Sequence, residues 1–333
     1  MQRKIRRQIK RRLQQKTTKA LWSTVAAAGL MLGVCGYTLA NPTDGTVTSG
    51  TATISGEGTP TVTVTQTTDK AAINWSDFNI GSGETVAFIQ PGTSSIALNR
   101  VTGSNASEIY GTLSSNGKVY LINPNGILFA STAQVNVGGI VAAALDISDT
   151  DFNAGNYTFS GNGKLVNNEG TISATDGGYV VLLGKQVVNS GTITAGSGTV
   201  ALGAGNHVTL DFEGDGLLGL TVDGSVLGAL TQNSGTISAD GGSVYLSAAA
   251  ADSLAGTVVN NSGIIRARSV SKVNGKIVLS GGTNGTVTNS GTLDAAGTDS
   301  GETGGTVKML GETVELAAGR LFSVPRTILL SPG

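Results

Sequence analysis

Few residues in this sequence can do acid–base, nucleophilic or metal chemistry. His207 is the single histidine and Cys35 the single cysteine among 333 residues, so no cluster of His and Cys ligands can hold zinc. A Ser-His-Asp site would have to use His207, and no Gly-x-Ser-x-Gly segment offers it a nucleophilic serine. We therefore expect His207 to be a polar surface residue, and we predict no catalytic residue, no metal site and no cofactor.

Three carboxylates, Asp146, Asp149 and Asp151, are the remaining candidates for chemistry. Polysaccharide lyases and hydrolases place such carboxylates opposite a basic or acidic partner across a groove. Only Lys164 and Lys185 lie near these carboxylates in the sequence. We interpret the segment as a solvated loop, and an enzyme acting on acidic polysaccharide stays as the alternative function.

Charge is unevenly distributed along the chain. Nine of the 21 Lys and Arg residues lie within residues 3–19, and no Asp or Glu precedes Asp44. Beyond residue 40 the chain has 12 basic and 22 acidic residues, a net charge of −10. Nucleic-acid binding is disfavoured because no basic surplus remains to neutralise phosphates. The 50 glycines and the abundant Thr, Ser, Asn and Val also disfavour a helical enzyme.

Residues 1–40 have the pattern of a secretory signal peptide. A basic segment is followed by the apolar residues 20–39, with Thr38 and Ala40 as the small residues before a cleavage site. We predict cleavage between Ala40 and Asn41, which leaves a mature chain without cysteine. A membrane anchor of about 19 apolar residues is the alternative. Lipidation of Cys35 is disfavoured because the preceding Val34 is large.

Five variants of one short unit, typified by Asn-Ser-Gly-Thr-Ile-Ser-Ala, recur in the second half of the chain. The spacings between their first residues are 21, 44, 28 and 28, and we interpret the spacing of 44 as two turns of a solenoid. A glycine-led strand with alternating apolar residues follows each unit. The units begin at Asn168, Asn189, Asn233, Asn261 and Asn289.

The repeats predict an all-β fold, a right-handed parallel β-helix. Short alternating strands let one apolar residue of each unit point inward and stack on the next, and Asn and Gly supply the corners. The asparagines are expected to hydrogen-bond along the helix as a ladder. The irregular, threonine-rich residues 41–70 are expected to cap the first coil. The predicted inward stack is Ile172, Ile193, Ile237, Ile265 and Leu293.

Residues 71–147 contain a different ordered series of motifs. Asn-Trp-x-x-Phe-Asn-Ile begins at Asn74, Leu-Asn-Arg-Val at Leu98, and Asn-Pro-Asn-Gly at Asn123. This series closely resembles the N-terminal secretion domain of the filamentous haemagglutinin family, especially its high-molecular-weight adhesin branch. The resemblance runs from about Asn41 to Glu315. A second, earlier Asn-Pro-Asn-Leu motif of another branch is not matched.

The resemblance implies a TpsA-type passenger of a two-partner secretion system in a Gram-negative bacterium. Such a chain crosses the periplasm, is recognised by an outer-membrane TpsB-type β-barrel transporter, and nucleates β-helix folding outside the cell. It implies a secreted or cell-surface adhesin or haemagglutinin, or a fragment of one, with a host-cell surface or carbohydrate receptor. Cytolysins and haem-scavenging passengers share the domain, so the ligand stays open.

The resemblance also assigns residue roles. Asn123, Pro124, Asn125 and Gly126 would be the secretion motif. From the residues alone they are a tight turn after a strand, in which Asn125 and Gly126 are expected to hold positive φ. Two interpretations stay open: the turn acts on secretion only through folding, or the transporter also recognises it. Six further motif residues are expected to be structural: Asn74, Trp75, Phe78, Asn79, Asn99 and Arg100.

The end of the chain departs from the repeats. We assign residues 41–316 to the secretion domain and residues 317–333 to a tail without the repeated unit. Pro325 and Pro332 lack the N–H that a continuing ladder needs, so the tail is not expected to form another full coil.

Overall fold

The computed structural model describes residues 40–212, 218–251, 257–271, 273–298, 302–317 and 327–332. These residues belong to one compact unit, Leu39–Gly333. The predicted signal peptide therefore lies outside the described residues, except for Ala40. In the described part of the chain, no helix is long and apolar enough to cross a membrane.

The described chain is almost entirely β-strand, with one short helix, α1 (Asp149–Ala154). The strands up to the helix are β1 (Thr46–Ser49), β2 (Ala52–Ser55), β3 (Thr61–Gln66), β4 (Lys70–Trp75), β5 (Thr85–Ile89), β6 (Ile96–Val101), β7 (Ser107–Ile109), β8 (Thr112–Ser115), β9 (Lys118–Ile122), β10 (Ile127–Phe129), β11 (Gln134–Val137) and β12 (Gly139–Ala143).

The strands after the helix become more regular. They are β13 (Tyr157–Ser160), β14 (Leu165–Asn168), β15 (Thr171–Ala174), β16 (Tyr179–Gly184), β17 (Gln186–Asn189), β18 (Thr192–Thr194), β19 (Thr199–Ala204), β20 (His207–Phe212), β21 (Leu218–Gly224), β22 (Leu230–Asn233), β23 (Thr236–Ser238), β24 (Ser243–Ala248), β25 (Thr257–Asn261), β26 (Ile264–Arg266), β27 (Lys276–Ser280), β28 (Thr286–Asn289), β29 (Thr292–Asp294), β30 (Thr306–Gly311), β31 (Thr313–Leu316) and β32 (Thr327–Pro332).

Each coil gives one strand to each of three long sheets. Strands β15, β16 and β17 form one coil, and each pairs in parallel with its equivalent in the next, β18, β19 and β22. The sheets have ten, eleven and eight strands in the described chain. The predicted parallel β-helix is confirmed.

The interior of the helix is a stack of equivalent side chains. Ile172, Ile193, Ile237, Ile265 and Leu293 pair in register from coil to coil, and all are fully buried. In the ladder beside them, the Nδ2 of each asparagine donates to the Oδ1 of the next. The four distances, from Asn168 through Asn189, Asn233 and Asn261 to Asn289, are 2.7, 2.8, 2.8 and 2.7 Å.

A short antiparallel cap closes the N-terminal end. Strand β1 pairs antiparallel with β4, and β2 pairs antiparallel with β3. Strand β3 already pairs in parallel with β5 and so belongs to the first coil. The predicted cap is confirmed but is shorter than residues 41–70, because two antiparallel strands suffice to cover the open edges.

The interpretation of the 44-residue spacing as two turns is wrong. Strand β17 pairs directly with β22, with Asn189 opposite Asn233, so the spacing is one coil with an insertion. The insertion forms β20 and β21, which join β13 in a three-stranded antiparallel sheet.

This additional sheet and α1 cover the outer face of the eleven-stranded sheet. In β9, Val119 and Leu121 point into the interior of the β-helix, whereas Tyr120 and Ile122 point outward into a second apolar core. Phe152 of α1 and Phe159 of β13 are fully buried in that second core. Strands β9, β12, β16 and β19 are therefore buried on both faces, unlike β27 and β30, whose outward-pointing residues are half-buried.

The tail contributes one strand in the described chain, which is less than the full coil that the sequence argues against. Strand β32 pairs in parallel with β30, with Pro332 opposite Gly311, so the tail adds a strand to the eleven-stranded sheet. It stands last in that sheet's order, where a proline without an N–H is tolerated. Residues 318–326, with Pro325, lie outside the described residues.

The ladder gives a direct stability prediction. Asn233→Ala removes both ladder bonds of that residue. The buried Asn261 Oδ1 then loses its donor, and the Asn189 side-chain amide keeps only its 3.4 Å bond to the Gly191 carbonyl oxygen. We expect the free energy of unfolding, measured in urea, to fall by about 2 kcal/mol or more. Gln232→Ala, on the same strand but half-buried, should cost about 0.5 kcal/mol or less. Equal losses in the two variants would contradict a stabilising ladder.

Candidate functional site

The turn at residues 123–126 joins β9 to β10. The Gly126 amide donates to the Asn123 carbonyl oxygen at 3.0 Å, and the Asn125 amide donates to Asn123 Oδ1 at 3.0 Å. Gly126 has φ of 110°. The expectation that Asn125 shares positive φ is wrong, because only Asp44, Ser197 and Ser271 do so among the described non-glycine residues. The Asn123 side chain holds the Asn125 amide without left-handed backbone at Asn125.

The two asparagine side chains bind the preceding coil. Asn123 Nδ2 donates to the Asn105 carbonyl oxygen and to Ser107 Oγ, both at 3.0 Å. Asn125 Nδ2 donates to the Gly103 carbonyl oxygen at 3.0 Å. The turn therefore fixes residues 103–107, which lead into β7.

The backbone of the turn binds both neighbouring coils. The Asn123 amide donates to the Ala143 carbonyl oxygen at 2.9 Å, and the Lys164 amide donates to the Pro124 carbonyl oxygen at 3.3 Å. The Gly126 carbonyl oxygen accepts from the Ser107 amide at 3.0 Å. A Cβ at residue 126 would lie 2.9 Å from the Leu165 carbonyl oxygen, so glycine is needed there for space as well as for φ. The turn thus connects three successive coils.

Exposure separates the four residues into two groups. Asn123 is fully buried and Gly126 is buried, whereas Pro124 is exposed and Asn125 is half-buried. A groove beside the turn is lined by Glu108, Lys164, Leu165 and Glu169 together with Asn125. A partner protein can reach Pro124, Asn125 and this groove, but not the Asn123 side chain.

The upstream motif residues form a polar contact inside the core. Trp75 Nε1 donates to Asn99 Oδ1 at 3.0 Å, and both side chains are fully buried. Asn99 Nδ2 donates to the carbonyl oxygens of Ala97 at 3.1 Å and Tyr120 at 3.3 Å. Phe78 packs edge-on against Trp75, with ring centroids 5.7 Å apart. This group joins the coils of β4, β6 and β9 ahead of the turn.

The two remaining asparagines of this motif lie near the surface. Asn79 Oδ1 accepts from the Glu108 amide at 2.8 Å and so holds the edge of β7. Asn74 is half-buried, and its Oδ1 has no hydrogen-bond partner in the structure.

Arg100, on strand β6 of the β-helix, connects that strand to α1. Its Nε lies 3.0 Å from Asp146 Oδ1 and its Nη1 lies 2.7 Å from Asp149 Oδ1, and its Nη2 donates to the Ile147 carbonyl oxygen at 2.6 Å. Burial opposes the charge, but the hydrogen bonds to Asp149 and Asp146 outweigh it and raise the pKa of the guanidinium. Asp146 and Asp149 are thus paired with a cation that lies 46 and 49 residues earlier.

The third carboxylate belongs to the start of α1. Ser148 is the N-cap, and its Oγ accepts from the Asp151 amide at 3.0 Å and contacts the Asp151 carboxylate. The interpretation of Asp146, Asp149 and Asp151 as a solvated loop is therefore only partly right. Asp146 and Asp149 are exposed and fasten α1 to the β-helix through Arg100, whereas Asp151 is half-buried and bonds to the N-cap residue Ser148.

The described residues bear on two expectations from the sequence, one about metal ligation and one about His207. They contain no group of three or more His, Cys, Asp and Glu residues placed to hold a metal ion. His207 is exposed, as expected, with its Nδ1 3.8 Å from Asp223 Oδ2.

Comparison with known proteins supplies the family. The family model described as the TPS secretion domain matches residues 39–295. The structure is similar to the HMW1 secretion domain from Haemophilus influenzae, with a TM-score of 0.72 and 32% identity, over 84% of this chain and 73% of that one. It shares its fold with a filamentous hemagglutinin secretion domain at a TM-score of 0.57 and 17% identity, over 86% of this chain and 98% of that one.

Two curated proteins are similar to part of the chain. A heme/hemopexin-binding protein of Haemophilus influenzae is 43% identical over 111 residues, and the protein of that name from strain Rd is 44% identical over 106 residues. The matches cover 33% and 32% of this chain, but only 12% of either relative's length.

The contacts of Arg100 generate a local prediction. Arg100→Gln removes the ion pairs that hold α1, so we expect limited proteolysis within residues 146–156 to become several-fold faster, as measured by mass spectrometry of the fragments. Arg268→Gln, which removes a comparable pair with Asp240, is the matched control and should leave that segment as resistant as in the wild type. If the Arg100 variant is cut no faster than the control, Arg100 does not fasten α1.

Proposed function

This chain belongs to the TPS secretion domain family, and from that membership we propose that it is a TpsA-type passenger of a two-partner secretion system. Its partner is an outer-membrane TpsB-type β-barrel transporter. Its destination is the surface or surroundings of a Gram-negative bacterium. The observation that carries the proposal is the family match over residues 39–295, which includes the turn at residues 123–126.

The chain's parts have separate roles in this proposal. Residues 1–40 direct export across the inner membrane and are removed between Ala40 and Asn41. Residues 41–316 are the secretion domain, and residues 317–333 are a tail. Without Cys35 the mature chain cannot close a disulfide in the periplasm, which suits passage through a pore in an unfolded state.

The turn acts on secretion mainly through folding. Asn123 is fully buried and its side chain bonds to the preceding coil, so its removal costs hydrogen bonds that only the folded state makes. Parallel pairings join residues distant in sequence and form slowly, so a turn that connects three coils is suited to nucleate them. Pro124 and Asn125 are the members that the transporter can contact.

The passenger is proposed to be a non-enzymatic adhesin or haemagglutinin that contacts a host-cell surface or carbohydrate receptor. Against the enzyme alternative, Asp146 and Asp149 are both paired with Arg100. A haem- or hemopexin-binding role is the second candidate, supported by the names of the two relatives. The matched segment is 12% of their length, so their ligand binding is not assigned to this domain.

Secretion with a co-expressed transporter tests the proposal. Asn123→Ala should lower the amount in the medium at least tenfold, because the variant loses side-chain bonds to Asn105, Ser107 and the Asn125 amide. The same variant should refold more slowly after dilution from urea. Pro124→Ala is the matched control, since the Pro124 carbonyl oxygen that accepts from Lys164 remains.

The outcomes separate the two interpretations of the turn. Normal secretion of the Asn123 variant would contradict a role for the turn. Lost secretion with unchanged refolding would assign Asn123 to recognition by the transporter instead. Lost secretion of the Pro124 variant alone would place the essential contact on the exposed side of the turn.

A further inference from the structure

Glu84 is a buried carboxylate without a cationic partner among the described residues. Only 6% of the residue is exposed, and none of the ion pairs in the described chain includes it. Its Oε2 accepts from the Gly81 amide at 2.8 Å. Burying an ionised carboxylate is costly unless a positive charge and hydrogen bonds compensate it. Glu84 therefore needs partners beyond the Gly81 amide.

The loop between β4 and β5 is shaped to hold the carboxylate. The Glu84 amide donates to the Gly81 carbonyl oxygen at 3.0 Å, which closes a turn at residues 81–84, and Gly83 within it has φ of 79°. A Cβ at residue 81 would lie 2.8 Å from the Glu84 carboxyl carbon. Glycine at position 81 therefore makes the space in which the carboxylate lies.

The other contact of this carboxylate is the start of the described chain. The Ala40 amide donates to Glu84 Oε1 at 3.0 Å and to Oε2 at 3.2 Å, sharing one hydrogen between two acceptors. The next residue, Asn41, is only 3% exposed, and its Oδ1 is buried without a hydrogen-bond partner. A buried carboxylate thus contacts Ala40, and a buried acceptor without a partner belongs to Asn41, the next residue.

The chain just beyond this bond is held firmly. Asn41 Nδ2 donates to the Thr59 carbonyl oxygen at 2.7 Å, and Thr43 exchanges backbone hydrogen bonds with the Ser76 amide and the Asp77 carbonyl oxygen, each at 3.1 Å. The Asn41 nitrogen is separated from the Ala40 nitrogen by three covalent bonds, about 4 Å at most. A terminal amine at Asn41 therefore stays near Glu84.

We propose that the loop at residues 81–84, through the Glu84 carboxylate, is a binding site for the chain's own α-ammonium group, which cleavage between Ala40 and Asn41 creates. Cleavage removes the Ala40 amide and replaces its one shared hydrogen with three donors and a positive charge at Asn41. Those donors satisfy Glu84 and the unpartnered Asn41 Oδ1, which is four bonds from the new ammonium. The site rests on the proposed cleavage position.

The new ion pair fastens the cap to the first coil. Asn41 leads into β1 and Glu84 directly precedes β5, so the pair joins the cap to a strand of the ten-stranded sheet. The mature chain then has a contact that the precursor lacks. Final closure of the cap is in this way tied to removal of the leader.

The surrounding carboxylates do not compete for this role. Asp44 is exposed, Glu57 Oε1 accepts from the Gly45 amide at 3.2 Å, and Asp77 Oδ1 accepts from Asn105 Nδ2 at 3.1 Å. Glu57 is accordingly a matched control, since it is a carboxylate of the same cap that accepts from a backbone amide.

The reactivity of the terminal amine tests the proposal. The full chain is produced with its own leader, recovered after export, and sequenced from its N-terminus to verify that it begins at Asn41. An acylating reagent at pH 7 then modifies the α-amine, and peptide mapping gives the rate. Because a carboxylate partner favours the protonated amine, we expect acylation to be at least fivefold slower in the wild type than in Glu84→Gln. Glu57→Gln should react like the wild type.

Each outcome decides for or against the site. Equal rates in the wild type and the Glu84 variant would overturn the proposal, as would an equal effect of both substitutions. If Glu84→Gln does not fold, a second comparison replaces it: a chain whose leader is altered to leave Ala40 as the first residue should unfold at lower urea than the chain beginning at Asn41. Equal midpoints there would also overturn it. An N-terminus other than Asn41 would refute the cleavage position and the proposed ammonium site with it. The proposed role of the turn at residues 123–126 in secretion would be unaffected.

Discussion

Each coil of this fold can satisfy its backbone hydrogen bonds only through the coils on either side of it. In the described chain, the strands of the three long sheets pair only with strands of other coils or of the cap, so an isolated coil has unpaired edges on all three sheets and little buried surface. Most other features of the structure either cover unpaired strand edges or join one coil to the next. The cap covers the first edges, the asparagine ladder aligns successive coils, and the turn at residues 123–126 connects three of them.

Asparagine side chains join neighbouring coils in two ways. In the repeated units, one buried amide per coil donates to the next, which fixes the register of neighbouring coils because a shift of one residue would break the ladder. At Asn123 and Asn99 the amide instead binds backbone carbonyl oxygens of other strands and loops, where coils are irregular and no ladder is available. The first half of the chain thus has individual contacts where the second half has a repeated one.

The repeated sequence units predicted the structural features that recur from coil to coil. Because parallel pairing places equivalent residues on one another, the recurrence of Asn233 and Ile237 in other units was enough to predict the β-helix, the ladder and the inward stack. It could not predict the ion pairs of Arg100, whose partners lie 46 and 49 residues away and do not recur. Nor could it predict the contacts of Glu84, because backbone amides leave no mark in the sequence. The second core did leave a signal: β12 and β16 are apolar at consecutive positions, a pattern typical of strands buried on both faces.

The coils with two cores are expected to fold before the regular coils, since they bury both faces of the eleven-stranded sheet and contain the connecting turn. Pulsed hydrogen exchange during refolding, resolved by mass spectrometry of peptides, measures this order directly. Amides of β6, β9 and β12 should become protected first, and those of β24, β27 and β30 later. Protection of the later coils first, or of all coils at a single rate, would contradict nucleation by the coils around the turn.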